Sequence, residues 1–571
     1  MTAETNEKKL EIFTIAILLG FGIYHSILYF GHQLVPNPDF TGFVDTGREI
    51  LSFHLPSNYK RAPVLGVLQV LLSQFISNTH PELTAGWLLN AILHPLNLVL
   101  LWLIGRHIVG KSAVWIALIA IINPWVITML VHPLAETTLL FFVLLSFYLI
   151  FKRSGWAYLA AAITSMVRYE GAALILCAFV MDMIYSENRR QRIVALLYSV
   201  LASVPLLLWM LGTILNFQNE GGSHYLKELG TWGTPLKTLL RYLEMMWYST
   251  FLPLFIPPPA TPRNTYETII TISKITAIFS FIFAAVYGIC KRKWKILIML
   301  IFLAFYLAAH VMHSGVLPRF CIIVHWIPLL LCFFGLQSLW KLIAKKMPVL
   351  LLRIIQIVVS FIAILWLISL IDYLPKVSAI SPTSASMPYI AMLAAVLLFL
   401  VRAKFGKEKF QWHKLSVIVL VFLMITSNQF ILAKTVSDGK KDAEFKELAD
   451  WYIANALPGE KMIASMANIV RIFTPMKKDS IIHLAMIKSE SPSDFVKKCH
   501  QKDIKYVIWD SRTGSYRKGR YYKLWNFNNI EMLSVPKSIG PYKFIKEIRA
   551  NERRYLHIFQ LKNDSNINNT M

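Results

Sequence analysis

The sequence of 571 residues has few cysteines and few acidic residues, and both shortages limit what the chain can be. Cys177, Cys290, Cys321 and Cys332 lie in apolar segments and Cys499 lies alone in the tail, so no disulfide framework is indicated. The sequence also lacks a P-loop, a dinucleotide-binding glycine motif, a zinc-binding motif and a nucleophile elbow. Cytoplasmic nucleotide chemistry therefore has no support in the sequence.

Basic residues outnumber acidic ones, 58 to 32, and the formal net charge is +26. Such a charge can indicate a nucleic-acid partner, but here the cations flank apolar segments, where they set the orientation of membrane helices. A hydrophobic fraction of 56% and a mean hydropathy of +0.52 are typical of a polytopic membrane protein. We therefore expect membrane lipid around the chain and no nucleic-acid partner.

Long apolar runs between Leu10 and Leu432 predict about 13 transmembrane helices. The first run is followed by no small-residue cleavage site, which predicts a retained span and not a signal peptide. The predicted spans are 12–30, 85–104, 112–131, 134–151, 156–167, a sixth from the break at 168–171 to 185, 193–215, 268–290, 296–312, 320–340, 354–374, 389–401 and 415–432. The shorter run 64–76 is interpreted as an interfacial or re-entrant helix.

Every second connection between the predicted spans is rich in Lys and Arg. The basic clusters are 8–9, 106–111, 152–153, 189–192, 291–295, 341–353 and 402–414. Because positive connections stay on the cytoplasmic side, the pattern predicts a cytoplasmic N-terminus and an extracytoplasmic tail. We expect a multi-pass protein of the plasma (inner) membrane.

Two domains follow from this topology. Residues 1–434 form the predicted transmembrane domain, with large outer loops at 31–84 and 216–264, and residues 435–571 form a predicted extracytoplasmic α/β domain. In this tail the pattern predicts helices at 442–456 and 493–500 and strands at 461–466, 504–509, 542–548 and 555–561. The last two strands are predicted to form a hairpin.

Ionisable residues recur at the predicted outer ends of the spans. They are Asp39, Lys60 and Arg61 in the first outer loop, His132 and Glu136 before span four, Arg168 and Glu170 after span five, and His310, His313 and Arg319 around spans nine and ten. Charged groups at membrane depth are costly, and they usually face a cavity or a partner. The convergence on one face predicts a functional site there.

The residues of the first loop also have structural interpretations. Asp39 follows Pro38 and could belong to a turn or begin a helix, where an acidic side chain is favourable. Lys60 and Arg61 could anchor the chain at the membrane interface.

The same holds for the later residues. Glu136 could interact with the dipole of the helix that it opens, and Arg168 and Glu170 could form an ion pair. Arg319 could extend its side chain to the interface. His132 lies four residues before Glu136, as two metal ligands on one helix face would, but two residues are a weak metal signal.

The motifs occur in an order found in a known family. They are Pro38-Asp39, Gly47-Arg48, Tyr59-Lys60-Arg61-Ala62-Pro63, Pro133 with Glu136, Val167-Arg168-Tyr169-Glu170-Gly171 and Pro318-Arg319-Phe320. This series, over about residues 10–340, resembles GT-C glycosyltransferases of the protein O-mannosyltransferase and aminoarabinose-transferase type. The resemblance implies a helical GT-C membrane fold and an extracytoplasmic α/β cap.

Three positions depart from the family pattern. Asp39-Phe40 stands where many members have two adjacent acids, Ala62-Pro63 replaces Pro-Pro, and Arg319-Phe320 replaces Arg-Tyr. These departures concern the acceptor and any requirement for a divalent metal. No cofactor is expected from the sequence.

The resemblance implies an inverting glycosyltransferase with a polyprenyl-phosphate sugar as donor and a glycan, lipid or protein as acceptor. Asp39 would be the catalytic base. The implied substrate-binding residues are Lys60, Arg61, Arg168 and Arg319 for the phosphate, and Glu136 and Glu170 for sugar hydroxyls or for holding the arginines. The alternative is a transporter or flippase of a lipid-linked or anionic solute, which would use the same cavity and arginines.

Overall fold

The computed structural model describes residues 3–344 and 442–561, with gaps. The gaps are residues 58, 60, 122, 220–234, 252–262, 312–315, 488, 490–491, 512–537 and 552–553; between 344 and 442 only residues 348, 351, 354, 393 and 396–401 are described. The predicted spans 354–374, 389–401 and 415–432, much of the loop 216–264, Lys60 and His313 therefore lie largely or wholly outside the described residues.

The chain divides into two compact units. The membrane unit comprises Met1–His32, Phe43–Ser77 and Pro81–Ser437, and the tail unit comprises Gln33–Gly42, Asn78–His80 and Asp438–Met571. The domain boundary at residues 434 and 435 stays a prediction.

Helices account for nearly all of the described membrane unit. They are α1 (Ala3–Tyr29), α2 (Asp39–Leu51, which begins in the tail unit), α3 (Pro63–Ser73), α4 (Pro81–Val109), α5 (Ala113–Ile121), α6 (Pro124–Val131), α7 (Ala135–Phe151), α8 (Trp156–Val167), α9 (Ala173–Tyr185), α10 (Arg189–Asn219), α11 (Pro235–Thr250), α12 (Arg263–Cys290), α13 (Trp294–Val311), α14 (Pro318–Cys321) and α15 (Trp326–Ala344). Most predicted spans in the described range coincide with one of these helices to within a few residues.

The described residues contain six stretches that are long and apolar enough to cross a membrane. They are Asn6–Tyr29, Pro81–Ile121, Arg189–Leu215, Ile270–Cys290, Trp294–Val311 and Trp326–Ile343, and the bent pair α6 and α7 makes a seventh if it counts as one span. The chain is therefore a multi-pass membrane protein. The number of 13 spans and the orientation stay predictions.

The prediction of one helix over residues 112–131 is wrong. The backbone breaks before Pro124, and Asn123 begins a new helix by accepting a hydrogen bond from the Trp125 amide (2.9 Å). The same Asn123 side chain donates to the Ser249 carbonyl (2.8 Å), and α6 then meets α7 at 116°. Proline has no amide hydrogen and suits the first turn of a helix, which is why a continuous apolar run still contains this break.

The prediction of one helix over 320–340 is also wrong in its first turn. The short α14 ends at Cys321, and α15 begins at Trp326. The His325 ring bridges this break, since Nε2 lies 3.1 Å from the Ala120 carbonyl and Nδ1 contacts the Ile322 carbonyl. Arg319 therefore lies on a separate short helix and not on the long span.

Two glycines allow a close crossing of α2 and α3. A Cβ atom on Gly66 would collide with the Phe43 carbonyl, and one on Gly47 would collide with the Gly66 backbone. The shorter run predicted as an interfacial or re-entrant segment is α3, an 11-residue apolar helix. The crossing brings two helices of the predicted outer loop 31–84 into backbone contact.

The described basic clusters gather at one end of the membrane unit, which we call the basic end. Arg106 forms an ion pair with Glu11, and Lys295 Nζ lies 2.9 Å from His107 Nδ1. The Lys295 ammonium also lies over the Phe151 ring, 5.4 Å from its centroid. Clusters from distant parts of the chain therefore share one end, as the alternating pattern of charged connections predicted.

The tail unit contains a six-stranded sheet in the order β2-β1-β3-β6-β5-β4. The strands are β1 (Lys461–Ala464), β2 (Ile481–His483), β3 (Ile504–Asp510), β4 (Ser538–Ile539), β5 (Tyr542–Asn551) and β6 (Arg554–Leu561), and the helices are α16 (Ala443–Asn455), α17 (Ala467–Phe473) and α18 (Pro492–Gln501). Strands β1, β2 and β3 are parallel, and β6 pairs antiparallel with β3 and β5.

The predicted helices, strands and terminal hairpin of the tail are confirmed. Buried apolar side chains from α18 and the strands form its core, among them Phe495, Val507, Trp509 and Phe559. The short elements α17, β2 and β4 were missed, because two to seven residues are too few to show a clear period.

Candidate active site

Five ionisable side chains from four parts of the membrane unit meet in one group, which we call the ion cluster. Arg168 Nη2 lies 2.7 Å from Glu170 Oε1, and its Nη1 lies 3.6 Å from Glu136 Oε1. His310 Nε2 lies 3.1 Å from Glu170 Oε1, and Arg319 Nε lies 3.8 Å from Glu136 Oε1. The four predicted residues Glu136, Arg168, Glu170 and Arg319 are therefore brought together, and His310 joins them.

Local backbone breaks position the first three members. Glu136 lies in the first turn of α7, where the helix dipole favours a carboxylate. Arg168 ends α8 with an extended backbone (φ −155°, ψ 144°), and Glu170 follows in a short 3-10 turn. Gly171 completes this turn, because a Cβ there would collide with the backbone of Thr164.

Helix α13 supplies the other side of the cluster. His310 Nδ1 lies 2.9 Å from the Tyr306 carbonyl, and the two rings stack with centroids 4.4 Å apart. The Tyr306 hydroxyl donates to the Phe320 carbonyl (2.7 Å), so α13 is tied to α14. The Tyr242 ring of α11 meets His310 edge-on at 5.7 Å.

Both arginines lie against the same aromatic ring. The guanidinium carbons of Arg168 and Arg319 are each 5.0 Å from the centroid of Phe320. The Glu136 side chain is almost completely buried, with 7% of its surface exposed, whereas Arg319 exposes 33%. Arg319 is therefore more exposed than Arg168, which exposes 21% of its side chain, and Glu136 is an internal counter-charge for both arginines.

A second group of polar aromatic side chains holds the break after α8. The Tyr169 hydroxyl donates to the Tyr59 carbonyl (3.0 Å), and Trp209 Nε1 lies 3.3 Å from both the Tyr169 hydroxyl and the Tyr59 carbonyl. The rings of Tyr59 and Trp209 lie 4.8 Å apart. These bonds fasten the segment around Tyr59 to the turn that carries Arg168.

The residues predicted in the first loop have different outcomes. Arg61 lies over the Phe43 ring, 5.3 Å from its centroid, and Lys60 lies outside the described residues. Asp39 belongs to the tail unit, where it is the first residue of α2 and its amide donates to Asn37 Oδ1 (2.9 Å). The roles predicted for these three residues stay predictions.

The sequence analysis placed His310 among the residues that converge on one face but gave it no role in substrate binding. His310 packs against Tyr306 and Phe320, and its contact with Glu170 adds it to the ion cluster. The available signal was its position at the same predicted outer end as Arg168 and Arg319.

The possible metal ligands His132 and Glu136 gain no third partner in the described part of the chain. No group of three or more His, Cys, Asp or Glu side chains there is arranged to hold a metal ion. The backbone carbonyl of His132 instead accepts a hydrogen bond from Asn90 Nδ2 (2.7 Å).

The described residues combine a bundle of apolar helices that holds the ion cluster with a separate α/β tail unit, and the fold is similar to that of solved GT-C glycosyltransferases. The ArnT protein of Cupriavidus metallidurans bound to undecaprenyl phosphate matches 96% of the chain and 97% of its own, with a TM-score of 0.54 and 12% identity. The oligosaccharyltransferase AglB of Archaeoglobus fulgidus, in complex with an inhibitory peptide and a dolichol-phosphate, matches 98% of the chain and 75% of its own, with a TM-score of 0.54 and 12% identity. Both are GT-C fold glycosyltransferases.

The apo form of the same ArnT matches 98% of both chains, with a TM-score of 0.52 and 12% identity. No family model matches the sequence, and no curated protein matches it either. The GT-C resemblance predicted from the sequence motifs is therefore confirmed at the level of the fold.

Proposed function

We propose that this chain is an inverting glycosyltransferase that moves a sugar from a polyprenyl-phosphate carrier to an acceptor at the outer face of the membrane. The observation that carries this proposal is the pair of guanidinium groups, Arg168 and Arg319, that both lie 5.0 Å from the Phe320 ring centroid and within 4 Å of Glu136 Oε1. A phosphate that keeps its lipid in the bilayer needs a cationic group at the membrane boundary, and the ion cluster provides one.

The chemistry of the leaving group explains why arginines suit this position. When the bond between the sugar and the carrier breaks, negative charge grows on the phosphate oxygens, and fixed cations stabilise that charge. The planar guanidinium offers several donors in a fixed arrangement that matches two phosphate oxygens. Arg319, which is partly exposed, is the group that binds the phosphate, and Arg168 lies behind it.

The carboxylates hold these arginines in place. Arg168 lies 2.7 Å from Glu170 and 3.6 Å from Glu136, which fixes its guanidinium before any substrate arrives. Electrostatic groups that are already oriented need not reorganise during the reaction. We therefore assign Glu136, Glu170 and His310 as positioning residues of the phosphate site.

The comparisons support the type of donor. One GT-C neighbour is bound to undecaprenyl phosphate and another to a dolichol-phosphate, and both of these carriers are polyprenyl phosphates. The sugar and the acceptor, which can be a glycan, a lipid or a protein, are left open by this proposal.

The purified full-length protein in lipid nanodiscs should transfer a labelled sugar from a polyprenyl-phosphate donor to an acceptor extract of cell-envelope glycans, lipids and proteins. The same protein in sealed vesicles should not move the donor across the bilayer faster than empty vesicles. Movement of the donor without any transfer would overturn the proposal in favour of a transporter or flippase.

Asp39 is proposed as the base that takes the proton from the acceptor. An Asp39→Asn variant keeps a polar residue at the start of α2 but cannot accept the proton. We expect its transfer rate to fall by about 10²–10⁴-fold, the range of a positioned general base. Near-normal transfer by a variant with unchanged melting temperature would remove Asp39 from this role.

A further inference from the structure

The basic end of the membrane unit contains a cavity of about 450 Å³. Its lining includes Gly110, Tyr287, Lys293, Ser338 and Lys341. A helix of 15 residues is about 22 Å long, and Lys341 lies 15 residues after Trp326, the start of α15 nearest to the ion cluster. The cavity is therefore separate from the candidate active site.

The packing of α12 against α15 forms the cavity. Near the middle of the helices a Cβ on Gly335 would collide with the Ser280 carbonyl, so the two backbones touch there. Further along, the rings of Tyr287 and Phe334 lie 6.2 Å apart, and the helices leave room between them. The turn between α4 and α5 closes another side, where Gly110 adopts a left-handed backbone with φ +62°.

The two cations of the lining are Lys293 and Lys341, and none of the ten lining residues carries a carboxylate. Lys293 Nζ lies 4.4 Å from the Phe334 ring centroid, which holds the ammonium at the cavity. Partial desolvation, and then the positive charge of Lys341, lower the pKa of the Lys293 ammonium. An anion between these lysines would relieve their mutual repulsion.

Neutral donors complete the lining. Ser338 and Gln337 follow Phe334 by about one turn of α15, and the Tyr287 ring faces Phe334. Hydroxyl and amide groups beside two ammonium groups suit the oxygens of a phosphate ester.

Exposed apolar side chains flank the cavity on both helices. Val286 and Ile289 of α12 are exposed, as are Leu342 and Ile343 of α15. In a membrane-spanning helix such side chains face acyl chains. A phosphate bound at the lysines can therefore carry hydrocarbon chains that lie along these two helices.

We propose that this cavity binds the phosphate group of an anionic phospholipid from the leaflet at the basic end. Cationic pockets between transmembrane helices on the cytoplasmic side are suited to anionic head groups. The site is independent of the sugar-transfer chemistry at the other end of the helices and does not rest on the proposed function.

The test compares the full-length protein with a Lys293→Gln/Lys341→Gln double variant. The probes are phosphatidylglycerol, phosphatidylcholine and inorganic phosphate, and the readout is retention of lipid in native mass spectra during titration. The control is a Lys291→Gln/Arg190→Gln variant, which removes two exposed charges outside the cavity lining.

We expect the dissociation constant for phosphatidylglycerol to rise about 30-fold in the double variant. This change corresponds to about 2 kcal/mol of binding free energy, or about 1 kcal/mol for each lysine near a membrane surface. The control variant should bind like the unmodified protein, and phosphatidylcholine should be retained much less than phosphatidylglycerol. The proposal would be overturned if both variants lost affinity for phosphatidylglycerol equally, or if the unmodified protein retained phosphatidylglycerol and phosphatidylcholine equally. Saturable binding of inorganic phosphate that displaces the lipid would instead assign the cavity to a soluble phosphate.

Discussion

The two ends of the membrane unit carry cations in opposite environments. At the end that holds the ion cluster, near the start of α15, Arg168 and Arg319 lie beside Glu136 and Glu170 and are partly buried. At the basic end, the cavity lysines Lys293 and Lys341 are exposed and share no carboxylate among the lining residues. The positive charges of the two ends therefore differ in what they can do. The arginines of the ion cluster are held in position by carboxylates, whereas the two exposed lysines at the basic end can attract an anion.

The physical basis of this difference is desolvation. A partly buried guanidinium needs a counter-charge to compensate for lost water, and the counter-charge also fixes its direction. An exposed ammonium needs no such partner, because water and mobile ions surround it. Replacing charges at each end should therefore have unequal consequences.

The largest effect is expected from Arg168→Ala. Its loss leaves Glu136 and Glu170 without their shared cation, and breaking a buried ion pair by removing one partner costs about 3–5 kcal/mol of unfolding free energy. The melting temperature of the purified protein should fall strongly in Arg168→Ala and hardly at all in Lys291→Ala, which removes a charge at the basic end. Equal drops would mean that the cluster is not held by its ion pairs.

A second variant separates the ion pair from the packing of Arg168 against Phe320. In Arg168→Met/Glu170→Gln the long side chain is kept and one uncompensated charge is removed. We expect this double variant to be more stable than Arg168→Ala. A double variant that is no more stable would assign the effect to the aromatic contact alone.

Salt should have an intermediate effect, and only at one end. Screening shortens the electrostatic range from about 10 Å at 0.1 M to about 3 Å at 1 M salt. Over that range of salt, the affinity of the basic end for phosphatidylglycerol should fall several-fold. The difference in melting temperature between the unmodified protein and Arg168→Ala measures the contribution of the ion cluster, and this difference should change little. A strong salt dependence of that difference would show that water reaches the cluster freely.

The smallest effect is expected in the tail unit, at a buried carboxyl group. Glu444 Oε2 has no hydrogen-bond partner among the described residues. Burial raises the pKa of the Glu444 carboxyl, opposed first by a hydrogen bond from its own backbone amide and then by Arg554. The pKa of Glu444 is higher in the folded tail than in the unfolded chain, so the folded state holds the proton more tightly. The stability of the tail therefore falls as the pH rises from the unfolded pKa through the folded pKa. Glu444→Gln should therefore stabilise the tail by about 1 kcal/mol at pH 7.

Hydrogen exchange of α16 in the full-length protein measures this change. Exchange should be slower in Glu444→Gln at pH 7, and the difference should vanish below the unfolded pKa of a glutamate, about 4.3. Faster exchange in the variant at neutral pH would show that the carboxylate is stabilising and not costly.

Local patterns allowed much of this fold to be predicted. Apolar runs predicted most helices, and the alternation of basic connections predicted that Arg106, Lys293 and Lys341 share one end. Both patterns depend only on residues that are close together in the sequence. The break at Asn123 was missed, since Pro124 at the first position of a helix does not interrupt an apolar run.

The membership of the ion cluster was largely predictable, but its pairings were not. Charged residues are rare in membrane segments, so Glu136, Arg168, Glu170 and Arg319 were visible in the sequence. Which carboxylate meets which arginine depends on the packing of α7, α8 and α14, which are far apart in the chain. His310 was listed among the converging residues but received no role, because its contact with Glu170 depends on how α13 packs against the turn after α8.

The central claim is that the ion cluster binds the phosphate of a lipid carrier, and direct binding of a polyprenyl phosphate without sugar tests it. Arg319→Ala should weaken this binding by about 10–150-fold, which corresponds to the 1.5–3 kcal/mol of a hydrogen bond to a charged group. The affinity of Arg319→Lys should lie between those of Arg319→Ala and the unmodified protein. Lys291→Ala should bind the polyprenyl phosphate as tightly as the unmodified protein. Unchanged binding by a folded Arg319→Ala protein would contradict the account.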